Sequence, residues 1–484
     1  MAPVPAIDFP TGDDLATDEK FAVFERWLKT NGSVYPKLEL KDYGNEVRGC
    51  HTTSEIGNDE TIISIPLKCL ITVEMGKETS IGRAIINANI ELDAPKHIFI
   101  MIFMLIDRLD PTSFFKPYYD ILPATLRNMP VFWNEDELNC LKGSFLLTQI
   151  DERNLAMEND YDSICRVAPE FKDIATLNDF KWARMCVCSR NFGLVVNGLR
   201  TAAMVPYADM LNHYRPRETK WQFEDSSQAF TIVSLRDIGS GGQVYDSYGQ
   251  KCNHRFLLNY GFSVENNEEL DGFNPNEVPL LLQLKKDDAL YQDKCNFWRK
   301  DSSFPSRRVR VCIGDNENSR VMLSLLRIIN ADQDDLNQLT QTPGSSFRSL
   351  RDASLPLNSK NEMKAMTFLK DLVQDYLGRY PTSLEEDIRR LAVKGPGSLI
   401  QFSNERHAAI QVKGEKEVLL FLKDFAETTL KILYLLHNDA VQFESALEEV
   451  VQKKHAVISS HCRTILRRLR REESANSNAA NNKR

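Results

Sequence analysis

The hydrophobic period of this 484-residue chain changes once, near Asn274, and that change limits the fold more than any single motif does. Before it, short β-type runs alternate with helical segments. After it, Leu and Ile recur at helical spacing. In the first part FAVFERWL, from Phe21, predicts an amphipathic helix. TIISIP (Thr61, Ile62, Ile63, Ile65, Pro66) predicts a strand, and Trp221–Phe223 with Ala229–Val233 around EDSSQ predicts a hairpin. Gly239, Gly241 and Gly242 then mark a tight turn. In the second part Pro279–Tyr291, Ser319–Asn330, Asn361–Leu377, Glu415–Leu436 and Asn438–Arg471 all read as helices, and Thr382 with Glu385 reads as a capping box. The expectation is an α+β chain with a strand-rich domain followed by an all-helical one. The basic end, ILRRLRRE, reads first as a solvated last helical turn and second as a localisation or partner patch, and SANSNAANNKR after it as a disordered tail.

Charge and composition remove several function classes. Lys+Arg number 60 against 68 Asp+Glu, a net charge of −8, which leaves no electrostatic footprint for nucleic acid. The longest strongly apolar run, Ile98–Ile106, is nine residues, against the roughly 20 of a membrane-spanning helix, so it reads as a buried core helix. The N-terminal MAPVPAIDFPTGDD has no stretch like a secretory signal. Ten scattered cysteines give no disulfide framework, and Cys186 and Cys188 lack a second pair at zinc-ligand spacing, so no metal is expected. A reduced intracellular chain is expected, in the cytoplasm, with the nucleus as an additional compartment.

Two segments carry chemistry. YADMLNHY holds Asp209, Asn212 and His213; YDSYGQKCNHRFLLNYGF holds Tyr248, Asn253, Tyr260, Gly261 and Phe262. By residue type alone, His213 could be a metal ligand, a general base or a hydrogen-bonded core histidine, with the core role the default. No second ligand stands at i+3 or i+4, and no nucleophile sits in a recognisable elbow. The tyrosines default to packing. A GxGxxG fingerprint and a P-loop are both absent.

Taken together and in order, ADMLNH, a hairpin, a glycine turn and YG…N…NYGF resemble a SET-domain protein methyltransferase. The resemblance is to the branch of the Rubisco large-subunit lysine methyltransferase and the actin histidine methyltransferases, and it covers roughly residues 20–460. It implies an N-terminal tail at 1–20, a SET β-fold over 21–270 split by a helical insertion at about 85–190, an all-α substrate-binding domain over 271–472, and a tail at 473–484. It also implies S-adenosylmethionine as cofactor and a protein substrate docked by the helical domain.

By the same resemblance, Arg48, after the irregular turn Tyr43–Gly49, would contact the cofactor, as would Ser80, Ile81 and Gly82. Arg190 would meet the methionine carboxylate. Asp209, Met210, Leu211, Asn212 and His213 would wrap the cofactor, and Tyr260, Gly261 and Phe262 would close the pocket. Tyr248 would be the central catalytic residue, acting by placement rather than as a base. Tyr260 in NYGF, Phe192 as an apolar wall and Ala208 in place of a bulkier aromatic favour lysine over histidine as the target. The post-SET cysteine cluster is missing after Phe262, in keeping with a non-histone substrate. Two other classes compete: an inactive SET fold that only binds, and a helical scaffold whose strands are merely structural.

Overall fold

The computed structural model describes residues 15–43, 47–298, 306–314, 316–341, 355–395, 397–438 and 440–464. Residues 44–46 of the irregular turn, ILRRLRRE and both termini lie outside these. The chain divides into two units: Met1–Asn134, Thr148–Lys251 and Arg255–Phe262 form the first, and Glu135–Leu147, Cys252–His254 and Ser263–Arg484 the second.

The first unit holds the strands β1 (Leu38–Asp42), β2 (Arg48–Thr52), β3 (Thr61–Pro66), β4 (Ile71–Thr72), β5 (Asn191–Val196), β6 (Leu199–Met204), β7 (Asn212–His213), β8 (Thr219–Glu224), β9 (Ala229–Ser234) and β10 (Gln243–Asp246). They form three small sheets, ordered β1-β2-β10-β7, β3-β9-β8 and β4-β6-β5. TIISIP is β3, and it buries Ile62, Ile63 and Ile65. The EDSSQ hairpin is β8–β9, with Trp221 opposite Ile232 and Phe223 opposite Phe230. Aromatic cross-strand pairs of this kind stabilise a two-stranded register.

Helices fill the stretch between β4 and β5. Pro95–Asp107 starts on a proline at its first turn and buries Ile98 through Ile102, Met104 and Leu105. A helix apolar on nearly all sides belongs in a core. It meets the short helix Val73–Glu78 so closely that a Cβ on Gly76 would stand 1.7 Å from the Phe99 carbonyl oxygen. Among the described residues no helix is long and apolar enough to cross a membrane. The helix Leu177–Arg190, opened by a Thr176–Asp179 capping box, runs straight into β5, which fixes the position of Arg190.

The second unit is mainly helical, and the structure corrects three details. The expected helix Pro279–Tyr291 is instead the strand β11 (Glu277–Gln283), antiparallel to β12 (Ser306–Cys312). Its side chains alternate, with Val278, Leu280 and Leu282 buried, so an apolar run that fits either period follows the period of 2. The capping box stands one residue later than expected. Ser383 accepts from the Glu386 N–H, and Glu386 accepts from the Ser383 N–H at 2.6 Å, while Thr382 donates to Asp387 instead. The expected helix Asn438–Arg471 is broken: Ala440–Lys453 ends, and helix resumes over 456–464 after His455, whose Nδ1 accepts from the Val457 N–H.

Glu317–Ile329, Ser359–Leu377, Leu384–Ala392 and Asn404–Asn438 are helices. Between the first two lies the fully buried pair Arg327–Glu362, with bonds of 2.7 and 2.9 Å. Burial pushes the Glu362 carboxyl up, but Arg327, with His461 behind it, overrides this and holds it at about 2.

Candidate active site

The parallel pairing of β7 with β10 sets Asn212 opposite Tyr245 and His213 opposite Asp246. That ladder brings together the two chemistry-bearing segments, which are far apart in sequence. The first segment enters through Tyr207, a non-glycine residue at φ 73°, ψ −47°, whose ring stacks on Tyr35 at 3.9 Å. Such a conformation costs on the order of 1–3 kcal/mol and persists only where packing dictates it. The tight turn Ala208–Met210 follows, with Ala208 and Met210 buried.

That turn aims Asp209 inward. Its Oδ2 accepts from the Tyr118 hydroxyl at 2.7 Å and from Arg190 Nη1 at 3.1 Å, and its side chain is wholly buried. Burial pushes the Asp209 carboxyl up, and Arg190 and Tyr118 pull it back. Arg190 is therefore already paired within the protein, to a second residue of the expected site. Yet Asp209 Oδ1 and Arg190 Nε are both buried without a partner among the described residues. Buried polar atoms are nearly always satisfied, so such orphans call for an explanation.

Asn212 donates both amide hydrogens, to the Arg48 carbonyl at 2.9 Å and to Gln243 Oε1 at 2.8 Å; Gln243 in turn donates to the Tyr43 hydroxyl. What Asn212 has left to offer is its acceptor oxygen. His213 Nδ1 accepts from the Tyr248 N–H at 3.1 Å. Burial, with Arg215 and Lys251 nearby, pushes the His213 pKa down to about 3. The ring is thus neutral, held between the Tyr248 N–H and the Asp246 backbone.

Tyr248 donates its hydroxyl to the Leu211 carbonyl at 2.8 Å and stacks on Tyr260, centroids 4.9 Å apart at 27°. Burial pushes its phenol well above the usual value of 10, and pushes Tyr260 up to about 12. His213 lies 5.2 Å from the Tyr248 ring and 4.8 Å from Phe256, and Phe262 stacks on Phe256 at 5.2 Å. Gly261 makes this closure possible. It leaves the helix Asn253–Tyr260 at φ 77°, where a Cβ would stand 2.2 Å from Asn128 Nδ2.

Direct contacts join Arg190 to Asp209, and Leu211, His213, Tyr260 and Phe262 to Tyr248, while Asn212 precedes His213 on β7. Arg48 joins through its carbonyl, while its guanidinium donates to the Ile121 carbonyl and lies over Phe21. Phe192 does not join: its ring packs on Trp221 at 5.5 Å and Phe230 at 5.0 Å, as its strand position facing β8–β9 requires. Phe256, which the motif does not single out, instead packs against His213 and Phe262. Ser80, Ile81 and Gly82 open the helix Ser80–Ala88, with Ile81 in the core and Gly82 against the Gly76 carbonyl. Gln243, Tyr43, Tyr118 and Tyr207 were also missed. Tyr207, two residues before Asp209, lies in the first motif, and Tyr43 opens the irregular turn.

Residues 285–419 match the family described as Rubisco LSMT substrate-binding. The chain is 27% identical over 416 residues to the actin-histidine N-methyltransferase of Mus musculus, covering 83% of this chain and 67% of that one. To the Xenopus tropicalis protein of the same name it is 28% identical over 418 residues, covering 83% and 69%. Among solved structures it is similar to the SET domain of LSMT bound to lysine and AdoHcy, with a TM-score of 0.72, 22% identity and coverage of 91% of this chain and 97% of that one. Rubisco LSMT bound to AdoMet gives a TM-score of 0.70 at 21% identity, covering 90% and 97%. The fold is therefore that of the LSMT SET domain with its helical companion.

Proposed function

We propose, from the premise that this chain is a SET-fold member of the branch holding Rubisco LSMT and the actin-histidine methyltransferases, that it is an S-adenosylmethionine-dependent protein N-methyltransferase whose target is a lysine of a non-histone protein. The stacked Tyr248–Tyr260 pair, set against Leu211 and His213, is the observation that carries this reading. The residues present fit the cofactor. Among the described residues Asp209 Oδ1 and Arg190 Nε are buried without partners, and Asn212, having given both amide hydrogens, retains an acceptor oxygen. Arg48, Ser80, Ile81, Gly82, Arg190, Asp209–His213 and Tyr260–Phe262 would hold it. When bound, S-adenosylmethionine supplies a sulfonium-activated methyl group for in-line displacement.

The protein's own part is placement and desolvation. The Tyr248 hydroxyl is anchored by the Leu211 carbonyl, and burial keeps it protonated, so it orients the incoming amine and does not deprotonate it. A free lysine, with a pKa of about 10.4, is mostly charged at neutral pH. A channel walled by Tyr248, Tyr260 and Phe262 disfavours the charged form by desolvation, leaving the neutral amine to attack. Helices of the second unit would dock the protein substrate, in line with the matched substrate-binding family. None of the ten cysteines is in a disulfide, which supports a reducing compartment, the cytoplasm or alternatively the nucleus.

A histidine target is the second reading, favoured by the 27–28% identity to actin-histidine N-methyltransferases over most of this chain. The deciding experiment is to incubate the chain with methyl-labelled S-adenosylmethionine, cell lysate and, separately, purified actin, then map the labelled residue by mass spectrometry. Label on lysine is expected. Label on histidine would establish the second reading, and no transfer by a chain that binds the cofactor would leave the inactive binding module.

A further inference from the structure

Outside the site, three metal-ligating side chains of the second unit converge. Cys252 Sγ lies 3.5 Å from His254 Nε2 and 3.8 Å from Glu277 Oε1, and His254 Nε2 lies 3.7 Å from the same Glu277 oxygen. The three atoms make a nearly equilateral triangle. Zinc bound tetrahedrally through S, N and O at its usual bond lengths of about 2.0–2.3 Å would separate them by about 3.3–3.6 Å. Cys252 and His254 are almost fully buried and Glu277 is part-buried.

A second observation points to the same place. Gln411 lines the small cavity beside these residues, is 2% exposed, and its Oε1 has no partner among the described residues. Its Nε2 donates to Glu415 at 2.6 Å. Glu415 itself is satisfied by Ser144 and Tyr380, so the oxygen left over in this cavity belongs to Gln411. Glu277 Oε1 also accepts from Arg310 Nη1 at 3.2 Å, which a carboxylate oxygen with two lone pairs can do while it binds a metal.

We propose that Cys252, His254 and Glu277 form a zinc site, with Gln411 Oε1 facing the fourth position. Cys252 binds as the thiolate and gives its proton to solvent. Together with the Glu277 carboxylate it balances the two charges of the ion, so the buried cluster becomes neutral. The role is structural: the ion ties residues 252–254, where the helix bearing Tyr260 begins, to β11. The sequence reading expects no metal, from the lack of a second cysteine pair and of a second ligand three or four residues from His213. The cluster joins neighbours two apart in sequence to a strand residue 23 positions further on, and only the fold shows it.

The full chain, purified without chelator and dialysed against micromolar zinc, is expected to hold about one zinc per molecule by elemental analysis. Cobalt substituted for zinc is expected to show a near-ultraviolet thiolate charge-transfer band. Cys252→Ser should remove that band, and Glu277→Gln should weaken zinc binding at least about ten-fold, while Cys140→Ser changes neither. Wild-type protein that binds no zinc, or a band that survives Cys252→Ser, would overturn the site. If Cys252→Ser does not fold by circular dichroism, the wild-type band and the isosteric Glu277→Gln titration decide the matter alone.

Discussion

Two buried ion pairs in this chain are built to different standards. In the second unit, Arg327 grips both carboxylate oxygens of Glu362, and His461 stands 3.4 Å from one of them. In the first, Arg190 meets one oxygen of Asp209, and its own Nε and the other oxygen have no partner among the described residues. Buried polar groups left unsatisfied cost about 1–3 kcal/mol each. The comparison teaches that one pair is spent within the fold, while the other, on the proposed reading, keeps polar capacity for the cofactor.

The largest expected effect tests the satisfied pair. Glu362→Ala strands a buried guanidinium and should lower stability by about 3–5 kcal/mol, read as a fall in the urea midpoint. An unchanged midpoint would remove the contrast between the pairs. Next, Tyr248→Phe removes one hydroxyl bound to the Leu211 carbonyl. It should lower turnover by about 10²–10³-fold while S-adenosylmethionine still raises the melting temperature as in wild type. Turnover near the wild-type value would show that the hydroxyl does not act on the methyl acceptor.

Acid should separate the two regions. Glu362 is held below its unfolded value, at about 2, so its contribution is present above about pH 4.5 and is lost as pH falls toward 2. The size is about 3 kcal/mol at 1.36 kcal/mol per unit. His213 is also depressed, from 6.5 to about 3, so its contribution to stability is present above pH 6.5 and is lost as pH falls through that range toward 3. Urea midpoints measured from pH 7 to 3 should therefore fall less steeply in His213→Asn between 6.5 and 4.5, whereas Glu362→Gln should flatten only the part below 4.5. Identical profiles would refute the assignment. The smallest effect is at the surface: Ser383→Ala breaks the capping box at Leu384–Ala392 and should cost about 1 kcal/mol, visible as a small shift of the midpoint.

How much of this was legible in the sequence depended on the range of the interaction. The β8–β9 hairpin and the buried helix around Ile98–Leu105 follow from local period, and both stand as read. The run VPLLLQ fits two periods, and only its pairing with β12 decides between them. The motif residues Asn212, His213, Tyr248, Tyr260 and Phe262 were readable because they recur in order. Gln243, Tyr118 and Phe256 were not, since each acts through a contact made by the fold. Phe192, two residues from Arg190 in sequence, packs within a different aromatic cluster, which sequence proximity alone does not reveal.

The bond from the Tyr248 N–H to His213 Nδ1 has a consequence for measurement. That amide hydrogen is held by an imidazole rather than by a strand partner, so its exchange with deuterated water keeps time for one ring. A ligand that steadies the ring should slow that single exchange rate, and the site would report its own occupancy from within the backbone.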